Sequence, residues 1–466
     1  MAKRYVLFWF DVEDCTVTQS DDATKRIAQI LTRHGVRATM KVVGQKARVL
    51  RERVRYDVTD ALAEHAIGYH SNWHGLRPQP AEYMGPLDWL EGGEEFARRE
   101  AAGLDDLHDL FHQHPVCYGQ PGSNWSPQVF PILRRWGIPT YVSGFGYVGL
   151  YAQPFYYGGM VNMSHLWGRD RRGREVGHAF GLNFELGTPG ALEEHERLFA
   201  ASYGALEDGG VISIMNHPCT LVLKEWFSTD LKPRELTEAG YEHFEAFIAH
   251  VLSHDEAQTI TADELPALYP DRARDRVFGA DELLALARAV GEEVNFQETA
   301  GMSLSAAELF GMFTRFLAHA IREGGRPAGA ACRYLDGPAR PAGDIVTGRA
   351  LDAGDFASSV LEVESFVQAN GRLPDAVSLG EKRVSVGDYH AALAAAVTHL
   401  VGQGTMPSEV RVIPAVNQVE RHADEGAAHN AWASVMMRPG FSAPKLFEQA
   451  RLQAWTLKPA VPASAV

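Results

Sequence analysis

The chain has 466 residues, 45% of them hydrophobic and 22% charged, which describes globular protein too long for one compact domain and excludes a disordered, collagen-like or membrane-spanning chain. Its formal charge of −15 repels phosphate backbones and anionic headgroups, so neither nucleic acid nor a membrane surface is an expected partner. Four cysteines, Cys15, Cys117, Cys219 and Cys332, lie far apart without CxxC spacing, which predicts reduced thiols and no cysteine zinc site.

The N-terminus passes from Met1-Ala2-Lys3-Arg4 straight into the apolar run Tyr5 to Phe10 and then into acids. It lacks the h-region and small-residue cleavage site of a secretory signal, and a cytoplasmic location is expected. Tyr5 to Phe10 reads as a buried strand. Ala23 to His34 follows with Ile27, Ile30 and Leu31 at helical spacing and Gly35 as a stop, and Ala38 to Val43 reads as a second strand. With Thr140 to Ser143 and Val211 to Met215 as further strands, residues 1–270 read as βα units around a parallel sheet.

Three segments of this region could carry chemistry. Phe10-Asp11-Val12-Glu13-Asp14 places three acids just after an apolar strand, where parallel α/β folds keep their active sites. Strand alternation puts Asp11 and Glu13 on one face, while Asp14 before Thr16 could equally be a turn residue. His70-Ser71-Asn72-Trp73-His74 sets two imidazoles four residues apart, a spacing that lets both reach one cation if the segment turns helically. In a chain with 19 histidines such a pair also arises by chance, and the nearby acids are what give it weight. Val211 to Asn216 ends in His217-Pro218, placing a histidine where it could act as a general acid.

Taken in order, these segments resemble the polysaccharide deacetylase family, the NodB-homology fold of carbohydrate esterase family four, over Tyr5 to about Ala267. The acidic motif Phe10 to Asp14, the helix-to-strand segment Ile30 to Gly44, the H-[ST]-x-x-H motif His70 to His74 and the last motif Ile214 to Pro218 carry the likeness. The resemblance implies a distorted (β/α) barrel and hydrolysis of an N-acyl or related amide bond by metal-activated water. It implies a divalent metal, zinc foremost, with cobalt, nickel, manganese or iron as alternatives. Carried over by position, Asp11 is the general base, Glu13, His70 and His74 hold the metal with Asp14 as a rival to Glu13, and His217 is the general acid. Trp73, inside the metal motif, and Gln120, Pro121 and Gly122 are the expected substrate contacts.

One departure stands out. Tyr118-Gly119-Gln120-Pro121-Gly122 has Gly119 where the family carries an arginine that fixes the catalytic carboxylate. Gln120 is one substitute, and an arginine from the basic loop Gly168 to Arg174 is another. Aromatic residues in segments read as loops, among them Tyr118, Tyr147, Tyr151, Phe155, Tyr156, Tyr157 and Trp167, offer candidate platforms for sugar rings, with core packing as their default.

The charged run Asp271 to Arg276 marks a linker, and residues 277–466 read as a mainly helical domain. Similar segments recur there 78 and 80 residues apart, at Phe278 and Phe356 and at Leu304 and Val384, which suggests a duplicated helical unit. Phe366 to Leu379 with Arg383 to Tyr389 resembles a pseudomurein-binding repeat, and a lid or homo-oligomer contact is an equally good use of such a domain. Lys458 to Val466 reads as a frayed tail.

Three functions follow. The first is a metal-dependent hydrolase of a non-peptide carbon–nitrogen bond, most simply a deacetylase of an intracellular N-acyl sugar or small amide. A cyclic imide or ureide hydrolase is a variant of it. The third, from another class, is a catalytically silent deacetylase-fold binding or scaffolding module.

Overall fold

The computed structural model describes residues 3–144, 146–164, 166–226, 228–423 and 437–465. Among the described residues, eleven strands join in one sheet built around β1 (Arg4–Val12). β1 is flanked on one edge by Val211–Asn216. Its other edge is shared: Arg4 to Leu7 pair with Ala257–Ile260, and Trp9 to Val12 pair with β2 (Thr39–Val42). From β2 the row continues in parallel through β3 (Ala66–Tyr69), β4 (Cys117–Tyr118), β5 (Thr140–Val142) and Met160–Met163. Antiparallel Phe155–Tyr157 and Lys458–Pro459 follow it, and Ala179–Leu182 borders Val211–Asn216 at the opposite end. These two ends do not pair among the described residues, so the sheet, a distorted (β/α) barrel, is left open.

Alternation along β1 sorts the core. Val6, Phe8, Phe10 and Val12 pack outward against the helices that cover the barrel, beginning with α1 (Thr18–Arg33), whereas Tyr5, Leu7 and Trp9 join the smaller inner cluster. Period-two geometry therefore turns Asp11 inward beside Trp9. No helix among the described residues is long and apolar enough to cross a membrane, and all four cysteines are free.

The helical half repeats one order of elements. Ala280–Val290, the hairpin Gln297–Thr299 with Met302–Leu304, and Ala306–Glu323 are matched by Ala353–Asn370, the hairpin Val377–Leu379 with Lys382–Val384, and Val386–Gln403. Each set is bracketed by a short antiparallel pair, Val277–Gly279 with Gly329–Ala331 and Arg349–Asp352 with Glu409–Val412. The sets pack on each other: Val386–Gln403 lies against Ala280–Val290 and Ala306–Glu323.

The expectations for the tail and for several aromatic residues are corrected here. The tail is not frayed, since Lys458 and Pro459 are buried in the sheet, while Val466 lies outside the described residues. The charged run at 271–276, read as a linker, is packed: Ala273 is fully buried, Arg272 donates to the carbonyl oxygens of Gly301, Pro462 and Ala463, and Asp271 pairs with Lys458. Phe155, Tyr156 and Tyr157, read as loop residues, form a buried strand, and Tyr118 lies in β4.

Candidate active site

The candidate residues gather at the carboxyl ends of adjacent strands, where successive βα loops converge. Register does the assembly. Phe10 lies beside Asn216 and Val12 beside Val42, and just past these pairs His217 and Glu13 come within 4.0 Å at one rim. β3 delivers His70 to the same rim.

Glu13 Oε2 lies 3.3 Å from His70 Nε2 and 2.9 Å from His74 Nε2. The two imidazole rings are 5.5 Å apart, brought together by an irregular loop and not by the helical turn that the spacing suggested. Ser71 at φ 67° and Gly75 at φ 76° shape that loop. The buried Glu100 carboxylate pins it, accepting from the Asn72 N–H at 2.6 Å and from the Tyr69 and Tyr83 hydroxyls. His70 Nδ1 lies 2.8 Å from the Gly119 carbonyl oxygen, and donation there directs Nε2 toward Glu13.

On the inner side, Asp11 is 6% exposed. Its Oδ2 faces His217 Nε2 at 3.4 Å, and its Oδ1 faces Lys41 Nζ at 2.9 Å. His217 Nδ1 lies 3.0 Å from Asn183 Oδ1, which also accepts from the His217 backbone N–H, so the outward nitrogen is Nε2. Trp226 packs edge-on against the His217 ring at 4.7 Å.

Burial would raise both carboxylates, yet charge wins. His70, Lys41 and His217 hold Asp11 below the ordinary carboxylate range. His74 and His217, with hydrogen bonds from His70 and His74, hold Glu13 well below it. Burial lowers His70, whereas Glu13 lifts His74 against the same burial.

Glu13, His70 and His74 each offer one ligand atom, all within 4.8 Å of one another. Two imidazoles and a carboxylate whose ligand atoms converge in this way fit a borderline divalent cation. Asp14 is occupied otherwise: it accepts from Thr16, Val17 and Ser20 at the start of α1, which is turn chemistry.

A cavity of about 250 Å³ beside the cluster is lined by Glu13, His74, Cys15, Cys219, Leu223 and Trp226 among others, and by none of Trp73, Gln120, Pro121 or Gly122. Trp73 is 43% exposed, with the Arg48 guanidinium over its ring at 4.4 Å. Gln120 is buried between the Tyr141 hydroxyl and the Gly122 carbonyl, and the Pro121 carbonyl accepts from Asn124. The arginines of the basic loop pair with surface acids, Arg171 with Glu298 and Arg174 with Asp170.

Lys41, Asn183 and Trp226 escape the sequence reading. A lysine inside the short apolar strand Thr39–Val42 is a usable signal, because such a residue needs a buried counter-charge. Asn183 follows a strand too short to recognise, and Trp226 lies far from any motif.

A scan against protein-family models finds no match, and neither does a search of curated proteins. Among solved structures, the chain is similar to a Mycobacterium smegmatis protein assigned to the polysaccharide deacetylases, at 18% identity over 57% of this chain and 91% of that one, with a TM-score of 0.39. It is similar to a family 4 acetyl xylan esterase from Clostridium thermocellum in complex with a cobalt ion, at 17% identity over 57% and 91% of the chains, TM-score 0.31. It is also similar to a CE4 family pseudoenzyme from Bacillus anthracis, at 15% identity over 56% and 65%, TM-score 0.32.

Proposed function

We propose that the chain is a metal-dependent hydrolase of a non-peptide carbon–nitrogen bond, releasing an acyl group from an N-acyl sugar or small intracellular amide. The observation that carries this reading is the juxtaposition of two functional sets on one rim. We read Glu13, His70 and His74 as the ligand set, and Asp11 and His217, whose facing atoms are 3.4 Å apart and which with Glu13 make a second group of possible ligands, as the proton-handling pair.

When bound, a divalent cation supplies Lewis acidity toward water and an amide carbonyl. Asp11, held as a carboxylate with Oδ2 directed to the rim, takes the proton of the attacking water as its oxygen bonds to the acyl carbon. His217 Nε2 then delivers a proton to the departing nitrogen as the C–N bond breaks, giving a carboxylic acid and an amine. Asn183 keeps the His217 ring turned so that Nε2 faces the reacting atoms. The cavity of about 250 Å³, with Leu223 and Trp226 in its wall, suits an acyl group and one ring or a small ureide better than a long polymer buried end-on.

The test is elemental analysis followed by a screen for acid and amine release from N-acetylated sugars, cyclic imides and ureides. Stoichiometric divalent metal with turnover of one class supports the reading. A protein that takes up no divalent metal overturns it in favour of a silent binding module.

A further inference from the structure

We propose that Lys41 is the positioning residue of this site, fixing the Asp11 carboxylate so that one of its oxygens is committed and the other is left for proton transfer. The proposal rests on the reading of Asp11 as the proton acceptor. Its evidence, however, is geometric and independent of any ion.

β1 and β2 run parallel with Asp11 beside Lys41, so both side chains enter the barrel at the same level. Lys41 is 1% exposed, and its path is cleared by two missing side chains. Gly68 is its register partner on β3, and a Cβ there would lie 2.8 Å from Lys41 Cγ and 2.7 Å from Cys117 Sγ. Further along, a Cβ at Gly119 would collide with Lys41 Nζ itself and with the Val142 carbonyl oxygen. A lysine therefore reaches Asp11 because positions 68 and 119 are glycines.

At the end of that path Nζ has a complete environment: Asp11 Oδ1 at 2.9 Å, the Val142 carbonyl oxygen at 3.0 Å, and the Trp9 ring face at 3.9 Å. For Asp11 the contact is equally telling. Oδ1 is buried and receives no aligned hydrogen bond; Lys41 Nζ at 2.9 Å is its nearest charged partner, with His70 Nδ1, engaged by the Gly119 carbonyl oxygen, at 3.5 Å. Oδ2, facing His217, stays uncommitted. An arrangement that only neutralised a buried charge would engage both oxygens; this one orients the carboxylate.

A double-mutant cycle of Lys41→Met and Asp11→Asn in the full chain tests this, read in two ways. In metal-free protein, Lys41→Met alone lowers the melting temperature by several degrees, and adding Asp11→Asn restores at least half of the loss, since the neutral amide needs no counter-charge. In metal-loaded protein, with release of acetate from N-acetylglucosamine oligomers and from 4-nitrophenyl acetate as probes, Lys41→Met costs about a hundredfold in kcat with KM within about threefold. Lys41→Arg keeps about a tenth of the rate, and Lys41→Met adds nothing to the loss from Asp11→Asn. Additive melting losses overturn the pairing, and an unchanged kcat in Lys41→Met overturns the positioning role. A wild-type chain that turns over neither probe counts against the sugar-deacetylase form of the functional reading, while the melting cycle still decides whether Lys41 acts through Asp11.

Discussion

Lys41 at the barrel rim and Lys458 at the joint with the helical half are both buried lysines paired with carboxylates, and they differ in what they leave unbound. Lys458 Nζ binds Asp271 Oδ1 at 2.8 Å and Glu308 Oε1 and Oε2 at 2.8 and 2.9 Å, above the Tyr156 ring. Glu308 also closes the capping box of helix Ala306–Glu323, accepting from the Ser305 N–H and hydroxyl. Both Glu308 oxygens are engaged, and the cluster joins three stretches of chain: the inter-domain run, the first helical unit and the tail. Around Lys41, by contrast, one Asp11 oxygen is held and the other faces a histidine across 3.4 Å. The same chemistry thus serves as a clamp where both Glu308 oxygens are filled and, on the reading proposed above, as a reactive site where one Asp11 oxygen is spared.

The sharpest break of this comparison comes at the rim. His70→Ala with His74→Ala removes two of three ligands, so elemental analysis should show metal lost completely and turnover at background. Equal metal in both proteins would refute the ligand set. Asp11→Asn should keep the metal and lose on the order of a hundredfold or more in rate, because a proton acceptor is removed from beside the ligands. If the variant instead arrives without metal, Asp11 belongs to the ligand set and the division of the rim is wrong.

The joint should respond the other way. Lys458→Met leaves the buried Glu308 and half-buried Asp271 carboxylates without their shared cation and should cost about 3–5 kcal/mol of stability, with kcat/KM of the folded protein within about twofold of wild type. Scanning calorimetry beside rate measurements checks both halves of that statement. Burial would lower Lys458, but Glu308 and Asp271 outweigh it and raise it above 10.5. Its stabilisation is therefore present in full below that value and lost as pH rises through the raised one. The melting gap between wild type and Lys458→Met should narrow only in that alkaline range. At the small end, Arg171→Ala breaks an exposed pair with Glu298 and should shift stability by no more than about 0.5 kcal/mol and leave the rate unchanged. A large loss of rate would restore the basic loop as a source of the carboxylate's partner.

The rim was readable from sequence because its signals are local. Asp11 and Glu13 follow from alternation at a strand end, His70 and His74 lie within five residues, and His217 ends an apolar strand. The framework of parallel strands likewise follows from short apolar runs. Lys41 was not legible as Asp11's partner, since its relation depends on register between two strands and on the absence of side chains at Gly68 and Gly119. Lys458 failed for a stronger version of the same reason: its partners lie 187 and 150 residues away, and a Pro- and Ala-rich tail shows no apolar face by itself. In the helical half the recurring segments signalled a repeated unit, while its packing as two interlocked sets required the structure.

The tail strand sets an order on the making of this protein. Phe155–Tyr157 is synthesised early, but the strand that covers its outer edge, Lys458–Pro459, leaves the ribosome only after the whole helical half. Until then the nascent barrel carries an open β-edge with unpaired backbone donors and acceptors, a template for association with other chains. A ribosome that stalls or terminates within the helical half would release a polypeptide holding every candidate catalytic residue yet lacking its edge guard, so quality control rather than chemistry would decide its fate.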